Sequence, residues 1–482
     1  MAQFGLVIAV VCSFLMPVAA ARGAVFNVNS TGDAVDASVG NGVCATAGAV
    51  CTLRAALQEA NASFADDTIQ LGAQTYLLTI AGTGDDQAQS GDLDVASAAT
   101  AGHTTIQGQG ASVTILDGGG LDRVLDVHGD ARVEGVTIQN GAAVTASNAL
   151  GGGVHVHGGA SLELLDCRVR DNQANLAGGI MNRGALVIER CEITGNEALN
   201  LGFTSAFAGG ISSASQAAAG SAATMLEIHD SLIADNTAYV TPGGIELSNA
   251  GAALLRNVTV SGNTPTQIVV YEEAVTLDQV TVVAPADRAL IAGSYDGSET
   301  LTIRNSAFSS PVDDACFIGT PGPMLAFGTN AADDSSCGFT VVAANLGLGP
   351  LADNGGPTRT HLPLAGSPLI DAGATPDCSA ADQRGVPRPQ DGDGVAGAAC
   401  DLGAVEVPEP GAAVLGMTAL VTLLCRSILR TRSRVASRWL SRCAGICHKR
   451  SIHRGGLQGE PLPFARDFAI RRLSPRRPSD LE

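Results

Sequence analysis

The body of this 482-residue chain contains no lysine, since Lys449, near the C-terminus, is the only one in the sequence. Aromatic residues make up 4 % of the chain, and Trp439 is its only tryptophan. A core must therefore be built from Val, Ile, Leu and Ala. The apolar fraction of 45 % excludes a disordered chain, and 59 glycines without a three-residue period exclude collagen. A β-rich stack of short strands and turns remains.

Positive charge is also scarce outside the C-terminal region. Residues 407–482 hold 14 of the 28 Lys and Arg, so the preceding part has 14 basic against 42 acidic side chains. A surface this acidic should repel nucleic acid and anionic lipid headgroups. We therefore expect no nucleic-acid partner, and favour divalent cations or neutral polymers instead.

Residues 1–23 have the organisation of a signal peptide. An apolar run begins at Phe4 and ends in the small residues Ala19, Ala20 and Ala21, which signal peptidase accepts. We therefore expect export to the cell envelope or cell surface. No Lys or Arg precedes the apolar run, so an uncleaved N-terminal anchor is the alternative.

Cysteine usage agrees with export. Apart from the signal peptide and the C-terminal tail, the chain has eight cysteines in neighbouring pairs: Cys44 with Cys51, Cys167 with Cys191, Cys316 with Cys337, and Cys378 with Cys400. An even, locally paired set in an exported chain predicts disulfides. Zinc binding is an alternative, although no pair has two-residue spacing. For Cys167 and Cys191, free buried thiols are a further alternative.

An internal repeat is the strongest structural signal. Four successive copies read GGGVHVHGGASLELLDCRVRDN, AGGIMNRGALVIERCEITGN, AGGISSAS with an insertion before MLEIHDSLIADN, and PGGIELSNAGAALLRNVTVSGN. Each copy has the length of one solenoid coil, whose apolar face is buried only by neighbouring coils. We predict an all-β fold, a right-handed parallel β-helix of the pectin-lyase-like type over residues 101–345, with seven or eight coils in 101–310.

Asparagine ends the second strand segment of four copies, at the same place each time: Asn172, Asn196, Asn236 and Asn263. Asparagine tolerates left-handed backbone geometry and bonds to local backbone. We therefore expect these four to be turn residues.

The N-terminal region resembles a known module. FNVNSTGDAVDASVGNGVCATAGAVCTLRAALQEANA, at residues 26–62, resembles the CSLREA-type module of exported bacterial β-helix proteins. Its signature here is Cys51-Thr52-Leu53-Arg54-Ala55-Ala56, with Thr for Ser and Ala for Glu. Within residues 24–100 we expect one short helix that plugs the open end of the solenoid, because apolar residues form a stripe at helical spacing: Leu53, Ala56, Leu57 and Ala60.

Residues 346–406 resemble a second module. LADNGGPTRTHLPLAGSPLIDAG, followed by DQRGVPRP and CDLGAVE, is similar to the choice-of-anchor Q domain of such proteins. The resemblance implies a cap that closes the last coil, followed by a sorting signal.

Residues 407–434 resemble a PEP-CTERM sorting signal. The sequence Pro408-Glu409-Pro410 precedes an apolar run from Gly411 and a cluster of arginines. This implies a C-terminal membrane helix with its arginines in the cytoplasm, and cleavage by an exosortase-type protease. Such signals normally end after the basic cluster, whereas residues 435–482 add a basic, Pro-rich tail without periodicity.

The sequence gives little support to catalysis. Uronate elimination usually uses Lys or Arg as the base, but the body has no lysine and its arginines are scattered. Four carboxylates fall on neighbouring coils and leave hydrolysis as an alternative, although an acidic solenoid produces such neighbours by chance: Asp166, Asp171, Glu189 and Glu192. We therefore expect a non-catalytic surface or matrix protein with an adhesive, structural or glycan-binding role. A polysaccharide lyase or glycoside hydrolase is the alternative.

Two groups of residues are candidate metal ligands. Asp391-Gly392-Asp393-Gly394 resembles the start of a calcium loop that Asp401 would close, with a Gly-rich surface turn as the alternative. His155 and His157 share one strand face and could bind a metal, but no acidic third ligand is evident, so a polar outer face is favoured. We therefore expect no cofactor, with calcium as the alternative.

Overall fold

A computed structural model of the chain describes residues 23–409, except 98–100, 145–148, 201–206, 215–223, 249–250, 272–273, 294–296, 298–299, 320–321 and 396. The chain winds repeatedly through three parallel sheets in the order sheet 1, sheet 2, sheet 3. Each strand pairs in parallel with the equivalent strand of the next coil, so the fold is a parallel β-helix. Eight strands of sheet 1 lie within residues 101–310, which agrees with the predicted number of coils.

Sheet 1 has eleven strands and continues beyond the predicted repeat at both ends. Its strands are β1 (Val25–Asn27), β2 (Asp67–Gln70), β5 (Thr104–Gln107), β8 (Asp130–Glu134), β12 (Ser161–Leu165), β16 (Ala185–Glu189), β20 (Thr224–His229), β24 (Gly251–Arg256), β27 (Ala274–Asp278), β30 (Thr300–Arg304) and β33 (Met324–Phe327). The solenoid therefore begins inside the region that the sequence assigned to the N-terminal module.

Sheet 2 also has eleven strands. They are β3 (Thr75–Leu77), β6 (Ile115–Asp117), β9 (Thr137–Gln139), β13 (Arg168–Arg170), β17 (Glu192–Thr194), β21 (Leu232–Ala234), β25 (Thr259–Ser261), β28 (Thr281–Val283), β31 (Ala307–Ser309), β34 (Ala331–Ala332) and β35 (Val341–Val342). A four-stranded parallel sheet follows it in four coils, formed by β10 (Ala142–Ala143), β14 (Gln173–Ala174), β18 (Glu197–Ala198) and β22 (Thr237–Ala238).

Sheet 3 has nine strands and completes the coil. They are β4 (Leu93–Val95), β7 (Leu125–Val127), β11 (Val154–Val156), β15 (Ile180–Asn182), β19 (Ile211–Ala214), β23 (Ile245–Ser248), β26 (Ile268–Tyr271), β29 (Leu290–Gly293) and β32 (Cys316–Ile318). Alternate side chains of all three sheets point inward and stack at the strand spacing, which makes one continuous aliphatic core. Ile193 and its register partner Val169 are typical, since both are fully buried.

Helix α1 (Leu53–Asn61) closes the N-terminal end of this core. The Thr52 hydroxyl caps it by accepting a hydrogen bond from the Ala55 amide at 3.2 Å. The predicted apolar stripe of Leu53, Ala56, Leu57 and Ala60 is buried in the core, and the helix packs against β2 and β4. The prediction of one short N-terminal capping helix is thus confirmed.

Arg54 of the same helix is fully buried, although it lies in an otherwise apolar stretch. Its guanidinium forms an ion pair with Asp33 at 2.6 Å and donates to the carbonyl oxygens of Gly91 and Asp92 at 2.8 and 2.9 Å. Because its donors are satisfied by one carboxylate and several carbonyls, Arg54 ties the helix to the loop that precedes β4.

The C-terminal end of the core is closed before residue 346. Phe339 enters the core and contacts Phe308 and Phe327 edge to face, with ring centroids 5.3 and 5.2 Å apart. A disulfide between Cys316 and Cys337, with an S–S distance of 2.01 Å, fixes this turn to β32.

Residues 346–406, called here the flanking segment, therefore do not cap the last coil as the sequence suggested. They contain the antiparallel pair β36 (Leu348–Ala352) and β37 (Thr360–Pro363) and the short 3-10 helix η1 (Thr375–Asp377). The segment lies along the outer surface of sheet 2, where Leu346, Leu369 and Leu402 pack on outward alanines of β31 and β34. From β21 onward the outward residues of sheet 2 are small, apolar or hydroxylated, and the hydroxyl groups of Thr259 and Thr281 form hydrogen bonds with the flanking segment.

The four repeated asparagines are not left-handed turn residues. The residue before each of them has positive φ instead, as at Asp171 and Asp235, with values of 55° and 57°. Each asparagine is buried, and Asn172 donates from Nδ2 to Oδ1 of Asn196 at 3.0 Å. The amides thus form an internal ladder, because stacking coils places identical side chains directly over one another.

Several predictions fall outside the described residues. They are the signal peptide, the membrane helix from Gly411 to residue 434, Pro410 of the sorting signal, and the tail of residues 435–482. Among the residues that are described, none belongs to a helix long and apolar enough to cross a membrane.

Candidate functional site

The outer surface of sheet 2 is partly open to solvent around β13 and β17. A groove of about 270 Å³ lies there, and Thr137, Arg168, Arg170, Glu192 and Thr194 line it. The strand register places these residues in two rows. Thr137, Arg168 and Glu192 form one row, and Gln139, Arg170 and Thr194 form the other. We call this surface the open groove.

Within the open groove, the polar side chains form hydrogen bonds from coil to coil. Arg170 donates from Nη2 to Oε1 of Gln139 at 2.5 Å, and Gln139 donates from Nε2 to Oδ2 of Asp117 at 2.8 Å. The side chains of Arg168 and Arg170 are each 43 % exposed. Two guanidinium groups therefore face solvent in a surface that is otherwise acidic, and their donors can bind hydroxyl or carboxylate oxygens.

The flanking segment forms one end of the open groove. Arg359 pairs with Glu192, with Nε 3.4 Å from Oε1, and its side chain is 38 % exposed. From the next strand onward the outward side chains of sheet 2 are covered, since Leu232, Thr259 and Thr281 are buried. The sequence did not indicate Arg359, because 167 residues separate it from its partner.

The four carboxylates that left hydrolysis open each have an arginine partner. Asp166 pairs with Arg190 at 2.8 Å, and Glu189 pairs with the same guanidinium. Asp171 pairs with Arg170 at 3.1 Å. Glu192 lies between Arg168 and Arg359, as described above.

Three of the four predicted disulfides are present. Cys44–Cys51, Cys316–Cys337 and Cys378–Cys400 have S–S distances of 2.00, 2.01 and 2.03 Å. Disulfides persist in oxidising compartments, so these bonds indicate an extracellular protein.

The predicted bond between Cys167 and Cys191 is wrong, because both are free buried thiols. Their strands stack in parallel register, so their side chains point the same way at the strand spacing of about 4.8 Å, whereas a disulfide brings Cβ atoms to about 3.8 Å. Each thiol instead donates to carbonyl oxygens, as from Cys191 Sγ to Glu189 O at 3.2 Å.

The proposed calcium loop is rearranged. Asp391 and Asp393 offer oxygens within 4.8 Å of one another, but the third carboxylate of this group is Asp371. Asp401 is fully buried and accepts backbone N–H groups of Asp371 and Val407 at 2.7 and 2.6 Å. Asp401 is therefore not part of the group of carboxylates formed by Asp371, Asp391 and Asp393. Calcium binding by Asp391 and Asp393 stays a prediction.

His155 and His157 lie on β11 and directly after it, and a carboxylate that the sequence did not indicate lies between them. Asp126 on β7 is 2.8 Å from His157 Nε2 and 3.3 Å from His155 Nδ1. His128 stacks on His157 with ring centroids 3.8 Å apart. The expectation of a merely polar outer face is therefore incomplete, because His155 is 97 % buried in this cluster.

Comparison with known protein families found no family that matches the sequence, and comparison with curated proteins found no match. Among solved structures, the crystal structure of pectate lyase Pel9A is similar, with a TM-score of 0.43 and 12 % sequence identity. The similarity covers 80 % of this chain and 97 % of that chain.

Proposed function

We propose that this protein is a non-catalytic extracellular β-helix protein that binds a polysaccharide of the cell surface or matrix in the open groove. The observation that carries the proposal is the pair of exposed guanidinium groups of Arg168 and Arg170, set in rows of hydrogen-bonding side chains. Within each row, the side chains follow one another at the strand spacing of about 4.8 Å. An extended polymer that lies along a row therefore contacts successive polar groups.

The chemistry of the groove suits a polymer rich in hydroxyl groups. Arg168 and Arg170 donate hydrogen bonds, whereas Glu192 and Asp117 accept them. Ion pairing within the groove leaves no large excess of either charge, as in the pairs of Glu192 with Arg168 and Arg359. A neutral or weakly acidic glycan fits this balance better than a polyanion such as nucleic acid.

We further propose that the C-terminal region anchors the protein in the membrane at least transiently. The proposal rests on the sequence of Pro408-Glu409-Pro410, the apolar run from Gly411 and the arginines that follow. An exosortase-type protease would then cleave near Glu409. An epitope tag after Glu482 tests this, since cleavage removes the tag from the surface protein, and retention of the tag on surface-exposed protein contradicts cleavage.

Binding is tested with the purified full-length protein on an array of neutral and acidic glycans. We expect at least one glycan to bind, and the double variant Arg168→Ala/Arg170→Ala to weaken its binding by about tenfold or more, because charged hydrogen bonds contribute about 1.5 to 3 kcal/mol each. Arg132→Ala is the matched control, since this arginine lies on sheet 1 and is 37 % exposed.

The same glycans decide between binding and catalysis. After incubation with the protein we expect neither unsaturated products nor new reducing ends. Unsaturated products would identify a lyase, and new reducing ends a hydrolase. Equal affinity of the double variant and the wild type would place the binding surface elsewhere.

A further inference from the structure

A cluster of imidazoles and carboxylates occupies the outer face of sheet 3, away from the open groove. Asp94, Asp126 and His155 are register partners on β4, β7 and β11, so their side chains stack in one column. His128 lies two residues after Asp126, and His157 lies two residues after His155, so both side chains project from the same face of the sheet. The parallel register thus gathers residues from three coils that are distant in sequence.

We propose that Asp126, His128 and His157 bind a divalent transition-metal ion of the zinc type. A ligand atom of each residue lies within 4.8 Å of those of the other two. Asp126 Oδ1 is 2.8 Å from Nε2 of His157, and Asp126 Oδ2 is 3.5 Å from Nε2 of His128. Two imidazoles and one carboxylate are a common zinc ligand set that leaves a fourth position open.

Buried negative charge exceeds buried positive charge around these residues. Four carboxyl groups are buried together, those of Asp92, Asp94, Asp122 and Asp126, each at most 6 % exposed. Within the described part of the chain, Arg123 is the arginine that pairs with them, at 2.7 Å from Asp126 and 3.5 Å from Asp92. One guanidinium does not neutralise four buried carboxylates, so either protons or a bound cation must do so.

Buried polar atoms without hydrogen-bond partners are an independent indication of a bound ion. Asp94 is fully buried, and its Oδ1 has no hydrogen-bond partner among the described residues, although Oδ2 accepts the Ala88 amide at 2.7 Å. Nε2 of His155 also has no hydrogen-bond partner within the same residues, whereas Nδ1 lies 3.3 Å from Asp126. Asp94 also lies within 4.8 Å of His128 and of Asp126 in overlapping ligand groups. Buried polar atoms without partners are rare, and a missing ion is one reason for them.

The site is accessible from solvent. A cavity of about 480 Å³ lies between α1 and the loop that precedes β4, and Gln58, Asn61, Asp86 and His128 line it. His128 therefore belongs to both the ligand group and the cavity wall. An ion bound there is reachable by small molecules, and Asp86, which is exposed on the loop, lies near His128 at 3.8 Å.

A cluster without metal would hold a proton where the ion is proposed. In that arrangement His157 donates to Asp126, and Arg123 fixes the other carboxylate oxygen. An ion at this position would replace the hydrogen between Asp126 Oδ1 and His157 Nε2, and the neutral imidazole would then carry its proton on Nδ1 through exchange with solvent. Arg123 then keeps its bond to Asp126 and orients the ligand.

The test uses purified full-length protein that has been stripped with EDTA and titrated with Zn²⁺ by calorimetry. We expect about one ion to bind per chain, and His128→Gln and His157→Gln each to weaken binding by at least about tenfold. His229→Gln is the matched control, because this histidine lies on the outer face of sheet 1 and pairs with Glu227. Absence of Zn²⁺ binding to the wild type, or equal affinity of all variants, overturns the proposal.

A second measurement needs no variant and therefore holds even if a substitution prevents folding. Diethyl pyrocarbonate modifies accessible histidines, and mass spectrometry locates the modified residues. We expect Zn²⁺ to protect His128 and His157 but not His229, and Ca²⁺ at the same concentration to protect none of them, because imidazole is a poor calcium ligand. Unchanged modification of His128 and His157, or protection by Ca²⁺ alone, contradicts the site.

Discussion

The hydroxyl group of Thr259 donates a 2.7 Å hydrogen bond to Oε1 of Gln383, a residue 124 positions later in the chain. Both side chains are buried, and Nε2 of Gln383 donates to the carbonyl of Ser231 and the hydroxyl of Thr358 at 3.1 and 2.8 Å. One amide thus joins two coils of sheet 2 to the flanking segment. This contact, and others like it, determines where the open groove ends.

Replacing Gln383 with alanine should loosen the flanking segment. The substitution leaves the buried Thr259 hydroxyl without its acceptor and removes one of two hydrogen bonds to the Ser231 carbonyl, which keeps its bond from the Thr259 amide. We expect a loss of about 1 to 3 kcal/mol in free energy of unfolding. Urea unfolding and limited proteolysis both measure the effect, and the flanking segment should become cleavable first. Gln87→Ala, at an exposed glutamine, is the control and should change little. Equal protease resistance of the two variants would show that the segment is held mainly by its leucines.

Replacing Asn196 with alanine should interrupt the asparagine ladder. Its Oδ1 accepts from both the amide and Nδ2 of Asn172, and its Nδ2 donates to the carbonyl of Val169 at 3.0 Å. We expect a loss of about 2 to 3 kcal/mol in stability, because these buried groups lose their partners. Gln173→Ala, at an exposed position on β14, is the control. Similar urea midpoints for the two variants would contradict a structural role of the ladder.

The thiols of Cys167 and Cys191 should be alkylated only after denaturation. Both are fully enclosed, and burial raises the pKa of the Cys191 thiol, so the native protein presents little thiolate. Iodoacetamide labelling without reduction, followed by peptide mapping, should label these two in urea. Cys44, Cys51, Cys316, Cys337, Cys378 and Cys400 should remain unlabelled. Detection of a disulfide-linked peptide that contains Cys167 and Cys191 would show that the fourth predicted disulfide forms.

Glu246 should make stability depend on pH. Burial raises the pKa of its carboxyl group above the ordinary 4.5, although the Ser212 hydroxyl, 2.8 Å away, partly opposes this. The folded protein therefore retains a proton that the unfolded chain loses, so stability falls as pH rises above about 4.5. Urea unfolding between pH 4.5 and 8 should show a smaller decrease for Glu246→Gln than for the wild type. Parallel curves would mean that Glu246 is ionised without penalty.

Much of the solenoid was predictable because its information is local and repeated. Recurring diglycine and asparagine turns and apolar residues at alternate positions predict stacked parallel strands, and Ile193 lies inward as that pattern requires. The stripe from Leu53 to Ala60 likewise predicted α1. Repetition also led to an error, since equivalent positions in adjacent coils suggested that Cys167 and Cys191 are bonded.

The candidate sites were only partly predictable, because their members come together through register and not through spacing. His155 and His157 were recognised as a possible metal pair, but their carboxylate, Asp126, lies one coil earlier and has no local signature. Arg359 was missed at the open groove for the same reason. Near Asp391 and Asp393 the third carboxylate is that of Asp371, which lies 20 residues before Asp391 and has no local signature in the sequence.

The sequence by itself determined the coil, the inward ladders, the N-terminal helix and three disulfides, because each depends on residues that are close in the chain or repeated along it. Tertiary structure alone decided which outer surfaces stay open. Residues 346–406 contain no repeat that would fix their position, and they settle on sheet 2 where its outward side chains are small, apolar or hydroxylated. That packing leaves Arg168 and Arg170 exposed, whereas the stacking of β4, β7 and β11 buries the carboxylates beside His128 and His157.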